Sequence, residues 1–224
     1  MNKISLLFIL SVLITFSAYA QDDIKITHAP YLQNLGENEV TVVWTANKPS
    51  IGWVELAPDD GTHYYQTERP KFFNAKNGIK LTSTVHSVHL TGLKPGTRYR
   101  YRVYSQEVLS HVGWRVIYGN VAATSVYGKQ PLTFLTSDHG RQSVNFAMVN
   151  DIHGKSDVLE KLVSHCDLKK TDMFLFNGDM VSIFNNEKEI FEGFMDKATE
   201  LFASEIPMYY TRGNHETRGS FATA

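Results

Sequence analysis

The chain has 224 residues, 42% of them hydrophobic and 20% charged, with a formal net charge of −1. That balance leaves no basic excess with which to hold nucleic acid or another polyanion. Cys166 is the single cysteine, which excludes an internal disulfide, so the fold has to rest on its apolar core and Cys166 is expected to be a small buried residue rather than a nucleophile.

The N-terminus reads "MNK", then the apolar run "ISLLFILSVLITF", then "AYA". A charged start, an apolar centre and a small-residue end are the three parts of a secretory signal peptide, and the run is too short to cross a bilayer comfortably as an anchor. Residues 1–20 are therefore expected to be removed and the mature chain to begin at Gln21. The protein is then exported, to the periplasm or beyond, with no transmembrane anchor after cleavage. Loss of Lys3 shifts the net charge to about −2.

The first half reads as strands. In "EVTVVWT", Val40, Val42 and Trp44 alternate with Thr41, Val43 and Thr45, and in "RYRYRVY", Tyr99, Tyr101 and Val103 alternate with three arginines, so one face packs and the other is wet. "GWVELA", "TVHSVHL" and "PLTFLT" add short strands, separated by the turn clusters "APDDG", "NAKNG" and "GLKPG". The pattern implies an antiparallel β-sandwich. The stretch "HLTGLKPGTRYRYRV", His89 to Val103, resembles the fibronectin type III signature, a Leu-x-Pro-Gly-Thr turn leading into a strand opened by a corner tyrosine, here Tyr99. The resemblance covers residues 27–136.

A polar linker, "SDHGRQS" at 137–143, separates this from a region of different grammar at 144–224. "NFAMVN", "MFLFNGD" and "PMYYTRG" are apolar runs suited to parallel strands buried on both faces. Between the first two, Val158, Leu159, Leu162, Val163 and Cys166 share one helical face. Between the second and third, Ile190, Phe191, Phe194, Met195, Ala198, Leu201 and Phe202 form a longer stripe, opened by Asn186 with Glu189 three residues on as a cap. The order is β-α-β-α-β.

Each of these strands ends in a polar cluster: "NDIHG", "NGD" and "RGNHE". The carboxyl ends of parallel strands form the crevice where ligands bind, so Asp151, His153, Asp179, Asn214 and His215 are expected to converge. Carboxylate and imidazole together suit a borderline first-row metal, and a carboxylate such as Asp179 can bridge two ions. A single Asp-x-His or Gly-Asp at a strand end commonly means no more than a capped turn. Three clusters in this order, each after an apolar strand, carry the stronger reading.

The clusters resemble those of the calcineurin-like metallophosphoesterases, and within them the purple acid phosphatase-like branch with a β-sandwich ahead of the catalytic domain. That resemblance implies a fibronectin type III-like all-β sandwich followed by the first part of an α/β metallophosphoesterase domain. It also implies two divalent or mixed-valence ions (Fe, Zn or Mn), a phosphate-ester substrate, and hydrolysis by a metal-bound hydroxide. Phosphomonoester hydrolysis is the leading reading; phosphodiester hydrolysis, or a non-catalytic binding role for the sandwich, are the alternatives. By position Asp151 and His153 would ligate the first metal, Asp179 would bridge both, and Asn214 would bind the second. His215 would face the leaving-group oxygen rather than a metal. Arg212 and Arg218 are candidates to hold phosphate oxygens, with solvated arginines the competing reading, and Glu216 is expected to orient the loop.

Two departures qualify the resemblance. Ser182 stands where the purple enzymes carry the tyrosine that binds ferric iron, which implies a tyrosinate-free site. The pattern's later His and Gly-His-x-His blocks do not occur before Ala224. The chain is accordingly expected to hold an incomplete catalytic domain and to be inactive on its own. Of the other histidines, His63, His86, His89 and His111 belong to the sandwich and His165 to a helix, which leaves His139 in the linker as the one candidate substitute ligand. The sequence does not specify the substrate, the metal or the oligomeric state.

Overall fold

The computed structural model describes residues 22–125 and 130–223. The signal peptide read at 1–20 lies outside them. Nine strands come first: β1 (Ile26–Gln33), β2 (Glu39–Pro58), β3 (Lys71–Phe73), β4 (Ala75–Lys76), β5 (Ile79–Lys80), β6 (Thr82–Thr91), β7 (Arg98–Val112), β8 (Arg115–Ala123) and β9 (Leu132–Leu135). The two runs "EVTVVWT" and "GWVELA" are one strand, β2, with a break in register between Thr45 and Ser50. Its first part pairs with β1 and β6, and its last part with β3 and β7, which in turn carries β8 and β9. All these pairings are antiparallel, and β2 passes from one layer to the other, closing a sandwich over Leu32, Val40, Trp44, Val54, Tyr101 and Phe134. Trp44 donates its indole N–H to Ser105 Oγ at 2.9 Å, which satisfies the one polar atom that this side chain brings into the core.

The corner tyrosine is in place: Lys94 N–H donates to Tyr99 Oη at 2.9 Å. The arginine face of β7 is less wet than its alternation implies. Arg100 is buried because the 59–62 turn folds over it, and its guanidinium donates to Pro58 O at 2.8 Å and Thr62 O at 2.6 Å.

His86, on β6, is fully buried under Trp44. Its Nε2 shares a 2.8 Å hydrogen bond with Ser50 Oγ, and Gly52 makes room for it, since a Cβ there would sit 2.4 Å from His86 Nδ1. Burial pushes the imidazole pKa down to about 4. An unfolded histidine titrates near ~6.5, so between those values the unfolded chain binds the extra proton. The stabilisation is therefore complete above about pH 6.5 and is lost as pH falls toward 4, by about 3 kcal/mol in all. Denaturant melts at pH 7 and pH 4.5 should show this loss in the wild type and a much smaller one in His86→Gln. An equal loss in both would show that His86 is not the group responsible.

The second region comprises β10 (Phe146–Val149), α1 (Ser156–Val163), β11 (Met173–Asn177), a long helix over 188–203, and β12 (Met208–Thr211). The three strands form a parallel sheet in the order β10-β11-β12. On α1, Leu159 and Val163 are buried, whereas Leu162, expected on the same face, is exposed; Cys166 is half-buried against the core. The long helix is not uniform: α2 (Lys188–Ile190) runs into a π-helical stretch Phe191–Met195, then α3 (Asp196–Ala198), then a second π-helical stretch Thr199–Ala203. The expected cap is present, with Asn186 Oδ1 accepting from Lys188 N–H at 3.0 Å and Glu189 Oε2 from Asn186 N–H at 3.3 Å. The π-helical turns sit where the helix meets the β10 loop at Gly193, whose added Cβ would lie 3.3 Å from Gly154 Cα.

The two regions share a buried seam. Tyr101 Oη, deep in the sandwich, donates to Ser204 O at 2.6 Å, and Ser204 Oγ donates back to Pro30 O at 2.6 Å. At its edge His28 stacks on Phe191 with 3.7 Å between ring centroids and bonds Asp196 at 2.7 Å. Among the described residues no helix is long and apolar enough to cross a membrane.

Candidate active site

Asp151, His153 and Asp179 all have left-handed backbones, with φ of 58°, 52° and 54°. Only Asn34 and Asn77 share that conformation among the described non-glycine residues, and such backbone costs free energy that surrounding contacts must offset. The local sequence shows how. Ile152 is driven into the core under the sheet, so its neighbours Asp151 and His153 are both turned outward. Met180 and Val181 do the same for Asp179.

The loops then zip together through their backbones. Asp151 N–H donates to Gly178 O at 3.2 Å, His153 N–H to Asp179 O at 3.1 Å, and Gly154 N–H to Met180 O at 2.7 Å. On the other side His215 N–H donates to Asp179 Oδ1 at 2.9 Å. Gly178 and Gly213 touch: a Cβ on Gly178 would lie 2.8 Å from Gly213 Cα, and one on Gly213 only 2.3 Å from Asp179 Oδ1.

Glu216 holds the β11 and β12 loops as one piece. Its side chain is fully buried and accepts from Asp179 N–H at 3.0 Å, Met180 N–H at 2.6 Å, Val181 N–H at 3.2 Å and Gly213 N–H at 2.8 Å. Burial pushes its carboxyl up, but the backbone N–H groups outweigh that and hold it below its ordinary value. No sequence pattern announces this nest beyond the position of Glu216 after the Asn-His pair.

His215 is oriented by a carbonyl. Its Nδ1 lies 2.8 Å from Ser182 O, and since a carbonyl only accepts, Nδ1 carries the hydrogen and Nε2 is the nitrogen left for chemistry. The ring stands edge-on to His153 at 4.4 Å. Ser182 thus contributes its main chain, a role with no signature in the side-chain sequence.

Asn214 faces Asp179. With its amide nitrogen toward the carboxylate, it donates to Asp179 Oδ2 at 2.9 Å while its oxygen accepts from Arg218 Nη2 at 2.8 Å. Arg218 is therefore within the cluster, bonded to Asn214. Arg212, a candidate for phosphate in the sequence reading, donates from Nη2 to the carbonyls of Glu216 and Ala222 and lies over Phe184, where it braces the loop. His139 is 91% exposed and paired with Glu37, remote from these contacts. Tyr210, next to the third cluster in sequence, packs on Phe194 in the core instead.

Two carboxylates, an imidazole and an amide oxygen suit a borderline first-row ion. Among the described residues no three His, Cys, Asp or Glu side chains converge as a ready cage. His153 Nε2 and Asp151 Oδ1 are 3.8 Å apart, Asn150 donates to the Asp151 carboxylate, and Asp179 is held by Asn214 and His215. The residues fit such an ion in kind and in backbone placement, while their side chains are turned onto one another.

Residues 28–118 match the purple acid phosphatase N-terminal domain, and residues 144–223 match the calcineurin-like phosphoesterase family. No curated protein matches the chain. Among solved structures, a purple acid phosphatase isolated from yellow lupin (Lupinus luteus) seeds is similar over 87% of this chain and 38% of its own, at 18% identity and a TM-score of 0.59. The chain thus spans well under half of that protein's length, and the likeness is one of fold. The fn3 domain of the human collagen alpha-1(XX) chain is similar over 57% of this chain and 98% of its own, with 17% identity and a TM-score of 0.32. One polypeptide thus carries a match to the purple acid phosphatase sandwich in front and a match to the calcineurin-like phosphoesterase family behind it, the domain order of the sandwich-bearing metallophosphoesterases.

Proposed function

We propose that the chain serves an exported phosphoesterase that hydrolyses phosphate monoesters at a two-metal site. The observation that carries this reading is the left-handed trio Asp151, His153 and Asp179, three costly backbones gathered at the ends of neighbouring parallel strands. Two ions drawn from iron, zinc or manganese would supply Lewis acidity to the phosphate and a more acidic water. Asp151 and His153 would hold the first, Asp179 would be shared, and Asn214 would hold the second once its amide oxygen turns from Arg218 toward Asp179. His215, with Nδ1–H held by Ser182 O, is placed to deliver a proton from Nε2 to the departing alcohol oxygen when it acts as the imidazolium, a contribution of about 10²–10⁴-fold.

With only Asp179 and Asn214 assigned to the second ion, the chain by itself turns over slowly, and metal retention is the sharper readout. Protein taken from the periplasm should have an intact mass beginning at Gln21. Titration with zinc or manganese should then show binding at least roughly tenfold weaker in Asp179→Asn than in the wild type. What turnover there is should favour nitrophenyl phosphate over bis(nitrophenyl) phosphate. Equal metal binding by the two proteins would remove the site assignment; preference for the diester would shift the reading to phosphodiester hydrolysis.

A further inference from the structure

The outer face of the sandwich carries a second set of groups that phosphate chemistry does not use. Trp53 on β2 is in register with Phe73 on β3 and Tyr104 on β7, so three aromatic side chains cross three strands. The Trp53 and Tyr104 rings are parallel, 5.0 Å apart and within 1°. Beside them opens a cavity of about 340 Å³ lined by Glu55, Tyr65, Gln66, Arg69, Lys71 and Tyr104 among others.

The polar groups of this cavity are fixed before anything enters it. Tyr104 Oη donates to Glu55 Oε2 at 2.7 Å, while Glu55 Oε1 has Lys71 Nζ no closer than 3.8 Å, which leaves acceptor capacity on a carboxylate whose side chain is only 13% exposed. Arg69 is tied down by donating to Tyr64 O at 2.5 Å and His63 O at 3.0 Å. Tyr65 is 47% exposed, yet it is held by the edge of Tyr64 at 5.1 Å and by the Arg102 guanidinium at 5.5 Å.

We propose that this cavity binds a neutral oligosaccharide. An exposed flat ring offers its face to the C–H surface of a sugar, and the fixed acceptor and the amide of Gln66 match its hydroxyls. Charge gives an anion little hold: Glu55 and Glu68 stand against Arg69 and Lys71 in the lining, and the adjacent Arg102 already donates to Thr124 O and the Tyr104 hydroxyl, so no cluster of free cationic donors awaits phosphate or sulfate. An extended peptide needs an open strand edge for main-chain pairing; β2 is already paired on both sides here, and the open edge beside the cavity, β3, is only three residues long. The binding is independent of the metal site, because none of the phosphoesterase clusters contributes to the lining.

Affinity electrophoresis of the full chain through gels containing soluble hydroxyethyl cellulose, xylan, mannan or laminarin tests it, with heparin as the polyanion. Retardation is expected in at least one neutral gel and not in heparin. Tyr65→Ala should weaken it about tenfold and Glu55→Gln by a similar factor, with melting temperatures of both variants near the wild type. Retardation in heparin alone, in none of the neutral gels, or in a neutral gel but unchanged by Tyr65→Ala would each overturn the proposal.

Discussion

Replacing Glu216 with Gln is expected to lower the unfolding free energy by about 4 kcal/mol, although the change conserves volume and Glu216 is not itself a proposed ligand. The carboxylate is fully buried and accepts four backbone N–H bonds, two from one oxygen and two from the other. A glutamine keeps one accepting oxygen and turns an NH₂ toward two of those donors. Each stranded donor costs about 1–3 kcal/mol, and the loss of charge weakens the bonds that remain. The donors belong to the loops after β11 and β12, so their separation displaces Asp179 and Gly213 together. Equilibrium denaturation checks the stability, and metal titration checks the displacement, which should also appear as weaker binding. Glu216→Asp, which keeps the charge and shortens the reach, should fall between. A Gln variant melting within a degree of the wild type would mean that the nest does not hold these loops.

The second large effect is expected from Gly213→Ala, a single methyl group. It would lie 2.3 Å from Asp179 Oδ1 and 2.6 Å from Asp179 N, and neither atom can retreat, since one is fixed by His215 N–H and the other by Glu216. The strain should cost about 4 kcal/mol or more, beyond the usual range for overpacking because a pinned carboxylate and a backbone nitrogen are struck together. Gly140→Ala is the control: its Cβ first meets Asp138 Oδ2 at 3.4 Å, an ordinary contact, and it should melt within about 0.5 kcal/mol of the wild type. If both variants melt alike, the close approach of the two loops is softer than the distances imply.

The sequence made the strand ends legible because Asp151, His153, Asp179, Asn214 and His215 are chemical side chains set directly after apolar runs, and both properties are local. What holds those residues is not local. The Glu216 nest, the Ser182 carbonyl under His215 and the contact of Gly178 with Gly213 all join segments about 35 positions apart through backbone atoms, which no side-chain pattern records. Arg212 shows the same limit from the other side, since an arginine beside a phosphate-type motif reads as a ligand until its carbonyl partners are seen. In the sandwich, β8 escaped the reading because its burial hardly alternates, β1 escaped although its burial does alternate, and the two halves of β2 read as separate strands because the bulge between Thr45 and Ser50 interrupts the period. The long helix kept its apolar stripe, yet the first π-helical turn within it carries Gly193, which packs against Gly154 of the β10 loop, a contact the stripe does not announce.

The hydroxyl relay between Tyr101, Ser204 and Pro30 makes the sandwich a poor candidate for exchange as a cassette. A foreign sandwich grafted ahead of residue 144 would strand the Ser204 carbonyl, and the native sandwich expressed without its neighbour would present the hydroxyl of Tyr101 with nothing to donate to but water. Either cut turns a satisfied buried group into a lone one, so shuffled chimeras should retain solubility only when residues 30, 101 and 204 travel together. The joint is thus a single unit of chemistry, whatever the apparent boundary in the chain.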